Sequence, residues 1–107
     1  MAGRNTPQNG DQFLSMKLAW TRSAQHDRRS IREYITQHNP GAALALDELF
    51  SVQAERLKDH PALGRSGRVS GTRELVAHQN YILVYTVSGE SVVVVRVLHA
   101  SQQWPKP

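Results

Sequence analysis

One histidine and several arginines stand where they could act on a phosphate group. His99 ends the apolar run SVVVVRVLH, which Arg96 interrupts. An imidazole with a pKa near about 6.5 can exchange a proton at neutral pH, and guanidinium groups bind phosphate through paired hydrogen bonds. Further arginines alternate with glycines and small polar residues just upstream: Arg65, Arg68 and Arg73. These side chains could exchange a proton and pair with phosphate or carboxylate groups.

Each of these residues also has a purely structural interpretation. Arg96 could pair with Glu74 across a sheet, and His99 could be a hydrogen-bonded residue at a strand end. Trp104 could pack against the edge of the domain, although tryptophan is also favoured at interfaces. The basic stretch 56–73 could be a solvated surface or a loop that binds a partner. The binding candidates are therefore Arg65, Arg68, Arg73, Arg96, His99 and Trp104.

Length and composition restrict the class of protein. The chain has 107 residues, enough for one modest core, and it contains no cysteine, which excludes disulfides and thiolate-bound metals. A net charge of +4 suits a nucleic-acid or acidic protein partner, or is ordinary surface charge. The histidines are too scattered to indicate a metal site, and no cofactor is indicated. No apolar run approaches the roughly 20 residues of a membrane span and no signal peptide is visible, so we expect a soluble cytoplasmic protein.

The chain divides into a leader, one domain and a short tail. Residues 1–15 are polar and without periodicity, which predicts a disordered leader, and Met16 is the expected start of the domain. The segment KLAWT at 17–21 alternates polar and apolar side chains, as a short strand does. The domain is expected to span residues 16–104, followed by a tail at 105–107.

Two helices are predicted after this strand. The first begins at a cap formed by Thr21 or Ser23 and ends at the breaker HNPG. The second begins at a cap formed by Asn39, with a proline in its first turn, and ends before Pro61. Because a tight break joins them, they are expected to form a helical hairpin.

Three strands follow a loop that is rich in glycine. They cover residues 72–77, 81–87 and 91–99, and short turns separate them. Short connections favour an antiparallel meander, which the first strand is expected to join. The prediction is an α+β fold of order β-α-α-β-β-β, an antiparallel sheet with the N-terminal helical hairpin packed on one face.

The last strand is apolar on both of its predicted faces. Strict alternation places Val93, Val95, Val97 and His99 on one face and Val92, Val94, Arg96 and Leu98 on the other. Because one hairpin covers only one face, the other is expected to be apolar, partly basic and uncovered by its own chain. Such a surface is predicted to bind a partner.

The chain resembles the RelE/ParE family, the toxins of bacterial type II toxin–antitoxin modules. The resemblance covers about residues 16–104 and is carried by LAWTRSAQHD, REYITQHNPGAA, GTRELV, YILVYTV and VVVVRVLHASQQW, in that order and spacing. It implies a growth-inhibiting toxin whose partner is a cognate antitoxin with an acidic, disordered segment. Operator DNA would be contacted only through that antitoxin.

The resemblance implies two alternative targets. ParE-like members bind DNA gyrase, whereas RelE-like members cut mRNA on the ribosome with basic side chains. This chain lacks several basic residues of the RelE-like pattern: Ile82 stands where an arginine is expected, and Ala100 and Ser101 replace basic residues after the last strand. A gyrase inhibitor is therefore favoured over an mRNA endonuclease, for which His99 would be the base and Arg65, Arg68 and Arg73 the phosphate clamps. A third alternative is a non-toxic module that only binds the antitoxin.

Overall fold

A computed structural model describes residues 16–106, so the predicted leader at 1–15 lies outside the described residues. Within that range the chain forms two helices and five strands. In chain order they are β1 (Lys17–Trp20), α1 (Arg22–Thr36), α2 (Pro40–Asp59), β2 (Arg65–Ser66), β3 (Arg73–His78), β4 (Tyr81–Ser88) and β5 (Ser91–His99). The predicted α+β class and the predicted order of helices and strands are confirmed.

The strands form one sheet in the order β1-β5-β4-β3-β2. The last three strands pair antiparallel, as the short turns predict. The sheet is mixed rather than wholly antiparallel, because β1 pairs parallel to β5, with Lys17 opposite Ser91. Only strands joined by a tight turn are obliged to run antiparallel, and β1 is separated from β5 by both helices and by β2, β3 and β4. The structure adds β2, a two-residue strand in the segment predicted as a loop.

Side-chain caps begin both helices where the sequence predicts them. The Oγ1 atom of Thr21 accepts a hydrogen bond from the N–H of Ala24 at 3.0 Å, and Oδ1 of Asn39 accepts one from the N–H of Ala42 at 3.1 Å. Each cap satisfies a backbone donor that the first helical turn leaves unpaired. The second helix ends before Pro61, as predicted.

Arg28 joins the helical hairpin to the first strand. Its Nε donates to Oδ1 of Asp47 at 2.9 Å, and Nη2 donates to Oγ of Ser51 at 2.8 Å. Its guanidinium carbon lies 4.4 Å from the centroid of the Trp20 ring, within the range of a cation–π contact. One side chain of α1 therefore fixes the positions of both α2 and β1.

The main core lies between the helical hairpin and one face of the sheet. Burying a large apolar side chain contributes about 1.5–3 kcal/mol to stability, so this cluster provides most of the driving force for the fold. Its most buried members are Ala24, Phe50, Ala54, Leu57, Leu83, Tyr85, Val92, Val94 and Val97.

A bulge in β5 changes which residues share a face. Val84 of β4 pairs with Arg96, but Tyr85 pairs with Val94, which leaves Val95 as an extra residue. The predicted strict alternation is therefore wrong beyond Val94. The residues of β5 that lie beneath the helices are Val92, Val94 and Val97.

The opposite face of the sheet, called the second face below, carries its own apolar cluster. Ile82, Val84 and Leu98 are buried there, and Val95 and Trp104 pack against them. The prediction that the chain leaves this face uncovered is wrong at this point, because the C-terminal segment folds back and places Trp104 on the cluster. Trp104 itself stays partly exposed.

Candidate functional site

Glu74 lies at the centre of an arginine cluster on the second face, directly across from Val84. Nε and Nη2 of Arg68 donate to the two carboxylate oxygens of Glu74 at 2.9 and 3.1 Å, and the backbone N–H of Arg68 adds a third hydrogen bond at 2.9 Å. Nη2 of Arg65 lies 3.6 Å from the same carboxylate. Glu74 is 3% exposed, whereas the side chain of Arg65 is 66% exposed. The buried carboxylate is thus paired in bidentate fashion, and Arg65 remains open to a partner.

The ion pair fixes the charge of both partners. Hydrogen bonds from Arg68 hold the pKa of the Glu74 carboxyl below its ordinary value, against the opposing effect of burial. The same hydrogen bonds raise the pKa of the Arg68 guanidinium. Because a general base works best when its pKa lies near the operating pH, a carboxylate with a lowered pKa is a weak base. The cluster therefore presents cations and offers no effective general base.

Trp104 connects this cluster to the apolar part of the second face. It packs against the cluster of Ile82, Val84 and Leu98, and its carbonyl oxygen lies 3.5 Å from Nη1 of Arg68. Partly exposed tryptophan and arginine side chains are typical of the residues that contribute most of the binding energy in protein interfaces. Arg65, Arg68 and Trp104 therefore form one continuous patch, which we call the arginine–tryptophan surface.

Arg73 does not belong to the arginine–tryptophan surface. It pairs with Tyr85, on the face that the helices cover, and its Nη1 donates to the carbonyl of Gly64 at 2.7 Å. The Tyr85 hydroxyl donates to the carbonyl of Pro61 at 2.7 Å and accepts from the N–H of Gly64 at 2.8 Å. Arg73 and Tyr85 therefore hold residues 61–64 against the sheet.

Arg96 points towards α1 and pairs with Asp27. Its Nε and Nη2 donate to the two carboxylate oxygens at 2.7 and 3.0 Å, and the N–H of Val97 donates to the same carboxylate at 2.9 Å. The suggested pairing of Arg96 with Glu74 is wrong, because Asp27 pairs with Arg96 and Arg68 pairs with Glu74. The acidic partner comes from a helix rather than from the neighbouring strand.

His99 has its Nδ1 atom engaged by the chain that follows it. The N–H of Ser101 donates to Nδ1 at 3.1 Å, and the Ser101 hydroxyl lies 2.7 Å from the same atom. An imidazole nitrogen that accepts a backbone N–H carries no proton, so in the neutral ring the proton resides on Nε2. The ring meets Tyr81 edge to face, with centroids 5.2 Å apart. Nδ1 of His99 is therefore already engaged by Ser101 of the same chain.

A groove runs between α1 and the C-terminal half of β5, and we call it the α1–β5 groove. Its volume is about 460 Å³, within the range of ligand pockets. Burial raises the pKa of the Tyr81 phenol on its floor, and nearby Tyr34 adds to that shift. The groove is lined by His26, Asp27, Ser30, Ile31, Tyr34, Tyr81, Arg96, Val97, His99 and Gln102.

The predicted site residues thus fall into separate places. Arg65, Arg68 and Trp104 share the second face, whereas Arg96 and His99 line the α1–β5 groove. His99 of β5 pairs with Tyr81 of β4. Arg73 of β3 pairs with Tyr85, which lies four residues further along β4. At about 3.3 Å per residue and about 4.8 Å between strands, the Cα atoms of His99 and Arg73 are roughly 16 Å apart.

Two acidic residues, Asp27 and Glu74, hold the arginines of these two sites in position, and neither was predicted as a site residue. Glu74 was expected only as a structural partner of Arg96. Asp27 holds Arg96, and Glu74 holds Arg68. Arg68 and Glu74 are six residues apart across a loop, and this spacing alone does not predict that they pair. Strand β2 brings the loop back to β3 and places Arg65 beside Glu74. The sequence carries no local signal for that two-residue strand.

Residues 16–106 contain no group of three or more histidine, aspartate or glutamate side chains placed to hold a metal ion. In the same part of the chain, neither helix is long and apolar enough to cross a membrane.

Comparison with known sequences places the chain among toxins. The profile of the family described as "ParE toxin of type II toxin-antitoxin system, parDE" matches residues 18–104. A putative toxin, Y4kP, from Sinorhizobium fredii is 37% identical over 91 residues, which cover 84% of this chain and 94% of the relative. Toxin RelE2 from Caulobacter vibrioides is 34% identical over 86 residues, which cover 80% of this chain and 97% of the relative.

Solved structures share the fold. A chain of the chromosomal ParDE toxin–antitoxin system from P. aeruginosa superposes with a TM-score of 0.75 at 24% identity, over 81% of this chain and 98% of that one. A chain of the toxin–antitoxin complex RelBE2 from Mycobacterium tuberculosis superposes with a TM-score of 0.55 at 21% identity, over 83% of this chain and 95% of that one. The similarity therefore spans 81% and 83% of this chain and almost the whole length of each neighbour.

Proposed function

This chain belongs to the family of ParE toxins of type II toxin–antitoxin systems, and we propose that it inhibits growth by binding DNA gyrase through the arginine–tryptophan surface. Its cognate antitoxin, a protein with an acidic segment, neutralises it. The proposal concerns the target and the surface, because membership of the family leaves both open.

The state of His99 is the observation that carries the choice of target. A ribonuclease of this family would need a basic nitrogen that takes a proton from a ribose hydroxyl. Nδ1 of His99 already accepts the Ser101 N–H at 3.1 Å, which leaves the proton of the neutral ring on Nε2. A donor at that position does not activate a nucleophile.

The positions of the arginines support the same choice. Phosphoryl chemistry needs a base and cations within reach of one phosphate. Arg65 and Arg68 lie on the second face around Glu74, and Arg73 is bonded to the Gly64 carbonyl on the other face. His99 is roughly 16 Å from Arg73 along the sheet. This arrangement favours binding over cleavage.

The arginine–tryptophan surface has the chemistry of a protein-binding site. Trp104 supplies a partly exposed aromatic ring, Arg65 supplies an exposed guanidinium, and Arg68 is held rigid by Glu74. Rigid aromatic and arginine side chains contribute most of the affinity in protein interfaces, because little conformational entropy is lost on binding.

An assay of supercoiling tests the proposal with purified components. DNA gyrase is incubated with relaxed plasmid and ATP, with and without this protein, and the product is analysed on an agarose gel. We expect loss of supercoiling in proportion to the amount of protein. Unchanged supercoiling together with cleavage of ribosome-bound mRNA would overturn the proposal.

Ribosome-dependent mRNA cleavage is the second candidate. Its support is that two curated relatives carry the names toxin RelE2 and toxin RelE3, at 34% and 32% identity. In that case His99, Arg65, Arg68 and Arg73 are the candidate catalytic groups, and they must be brought together on the ribosome. A protein that affects neither gyrase nor mRNA and still binds its antitoxin would be the non-toxic alternative.

A further inference from the structure

The outer edge of β3 is open beyond the residues that β2 covers. The N–H of Gly67 donates to the carbonyl of Thr72 at 2.8 Å, and Arg65 of β2 pairs with Glu74. In an antiparallel pair, the peptide groups of every second residue point to the same side. Those of Thr72, Glu74 and Val76 therefore all point towards the β2 side. Because β2 ends at Arg65, no strand within residues 16–106 reaches the N–H and C=O of Val76.

The chain cannot close this edge by lengthening β2. The residues before Arg65 are drawn under the sheet, where the Tyr85 hydroxyl donates to the Pro61 carbonyl and accepts from the Gly64 N–H. Extending β2 would break both hydrogen bonds of a buried tyrosine. The edge that remains open carries an exposed apolar side chain, Val76, at 52% exposure.

An apolar pocket adjoins the same edge. It lies between one stripe of α2 and His78, the last residue of β3, and has a volume of about 260 Å³. That volume is below the roughly 300–1,000 Å³ of small-molecule sites, so it suits a single side chain. The stripe consists of Ala42, Ala45, Leu46 and Leu49.

Positive charges outnumber negative charges around the open edge of β3. Arg65 and Arg68 lie on one side of it and Arg73 on the other, against the single carboxylate of Glu74. Arg65 is the most exposed of the ion-paired arginines at 66%. An acidic residue in the occupant could therefore contact Arg65, whose contact with Glu74 is long at 3.6 Å, while Arg68 keeps its pair with Glu74.

We propose that an extended segment of the antitoxin adds a strand to β3 at Val76. Its backbone pairs with the N–H and C=O of Val76, one apolar side chain enters the α2 pocket, and an acidic side chain contacts Arg65. An open strand edge recognises an extended backbone, and a neighbouring pocket selects alternate side chains. This inference rests on the proposed function in taking the antitoxin as the partner, but it is independent of whether gyrase or the ribosome is the target.

Hydrogen exchange on the wild-type complex tests the pairing directly. The full chain is co-expressed with the antitoxin encoded beside it, and amide exchange is followed by NMR for the complex and for the free chain. We expect the Val76 amide to exchange at least about tenfold more slowly in the complex, since a new ladder hydrogen bond must open first. The Val87 amide, on β4, should show a much smaller change.

A matched pair of variants tests the chemistry of the edge. Val76→Asp places a negative charge beside the proposed acidic segment, whereas Val87→Asp makes the same change at a valine that is 42% exposed on β4. We expect Val76→Asp to weaken antitoxin binding by at least about tenfold, and Val87→Asp by less than about threefold.

The outcomes separate this inference from the proposed function. A stable complex in which the Val76 amide is not protected and Val76→Asp binds as tightly as the wild type would overturn the strand addition and leave the toxin–antitoxin pairing intact. Failure of the wild-type chain to bind the antitoxin at all would overturn the strand addition and the proposed neutralisation by that antitoxin, whereas the supercoiling assay alone decides the gyrase target.

Discussion

The carboxylate of Asp27 in α1 occupies the edge of β5 at the point where β1 stops. Strand β1 ends at Trp20, opposite Val94, and the next outward-facing donor of β5, the N–H of Val97, is bound by Asp27 at 2.9 Å. The same carboxylate pairs with Arg96 at 2.7 and 3.0 Å. A helical side chain thus replaces a strand partner and also fixes the wall of the α1–β5 groove, which links the stability of the fold to the shape of that groove.

Asp27→Ala should destabilise the protein. It leaves the Arg96 guanidinium, which is 27% exposed, without its partner and removes the acceptor of the Val97 N–H. We expect a loss of about 1–3 kcal/mol in the free energy of unfolding, measured by urea denaturation at pH 7. Asp59→Ala, at an exposed aspartate, is the control and should change the free energy by no more than about 0.5 kcal/mol. Equal effects of the two substitutions would show that the ion pair contributes nothing.

Glu74→Gln should remove one pH-dependent part of the stability. Arg68 lowers the pKa of Glu74 from its ordinary value of 4.5 in the folded protein. Ionised Glu74 therefore stabilises the folded state fully above about pH 4.5, and that contribution is lost as the pH falls through the lowered value. At pH 7 the glutamine variant should be less stable than the wild type by about 1–3 kcal/mol.

The difference in the free energy of unfolding between the wild type and Glu74→Gln should become smaller as the pH falls below 4.5. Urea denaturation at pH 7, pH 4 and pH 3 measures it. Glu55→Gln, at a surface carboxylate paired with Lys58, is the control and should show a small difference at each pH. If the difference in unfolding free energy between the wild type and Glu74→Gln stays constant down to pH 3, the lowered pKa of Glu74 is contradicted.

Gly64→Ala should destabilise the chain although the change is small. A Cβ atom at this position would lie 2.8 Å from the Tyr85 hydroxyl and 2.8 Å from the Glu74 carbonyl oxygen, so buried groups would have to move. We expect a loss of about 1–3 kcal/mol, read from thermal and urea denaturation. Gly41→Ala is the matched control: its Cβ would make only an ordinary contact at 3.6 Å, and alanine in the first turn of α2 should be neutral or stabilising.

Trp104→Ala and His99→Ala should separate the two candidate mechanisms. Truncating Trp104 removes the aromatic part of the arginine–tryptophan surface, and we expect inhibition of gyrase supercoiling to weaken by at least about tenfold. His99→Ala should leave that inhibition within about threefold of the wild type, since His99 lies in the α1–β5 groove. The reverse result, with folding of both variants verified by circular dichroism, would favour the ribonuclease.

Much of the fold follows from local patterns in the sequence. Thr21 and Asn39 begin the helices because their side chains accept the free N–H groups of the first turn, and the turn residues between 78 and 91 place three strands in sequence. The parallel pairing of β1 could not be predicted in this way. It depends on where two helices and three further strands bring the chain back beside β1, and no local signal encodes that.

The site was predicted less completely than the fold. Arg65, Arg68 and Trp104 were identified as binding candidates, but Glu74, which pairs with both arginines, was not, because the two-residue strand β2 has no periodicity to detect. Val95 and Val97 were assigned to one face, but the bulge at Val95 inserts one residue and places them on opposite faces. A bulge is stabilised by tertiary contacts, here by Asp27, which lies about 70 residues away in the sequence.

Pulse labelling in bacteria that lack the antitoxin tests the central claim most directly. The chain is induced, and incorporation of thymidine and methionine is followed side by side over the first minutes. If the protein acts on gyrase, thymidine incorporation falls first while methionine incorporation continues. A collapse of methionine incorporation within minutes, with DNA synthesis still running, would contradict the account and make the ribosome the target.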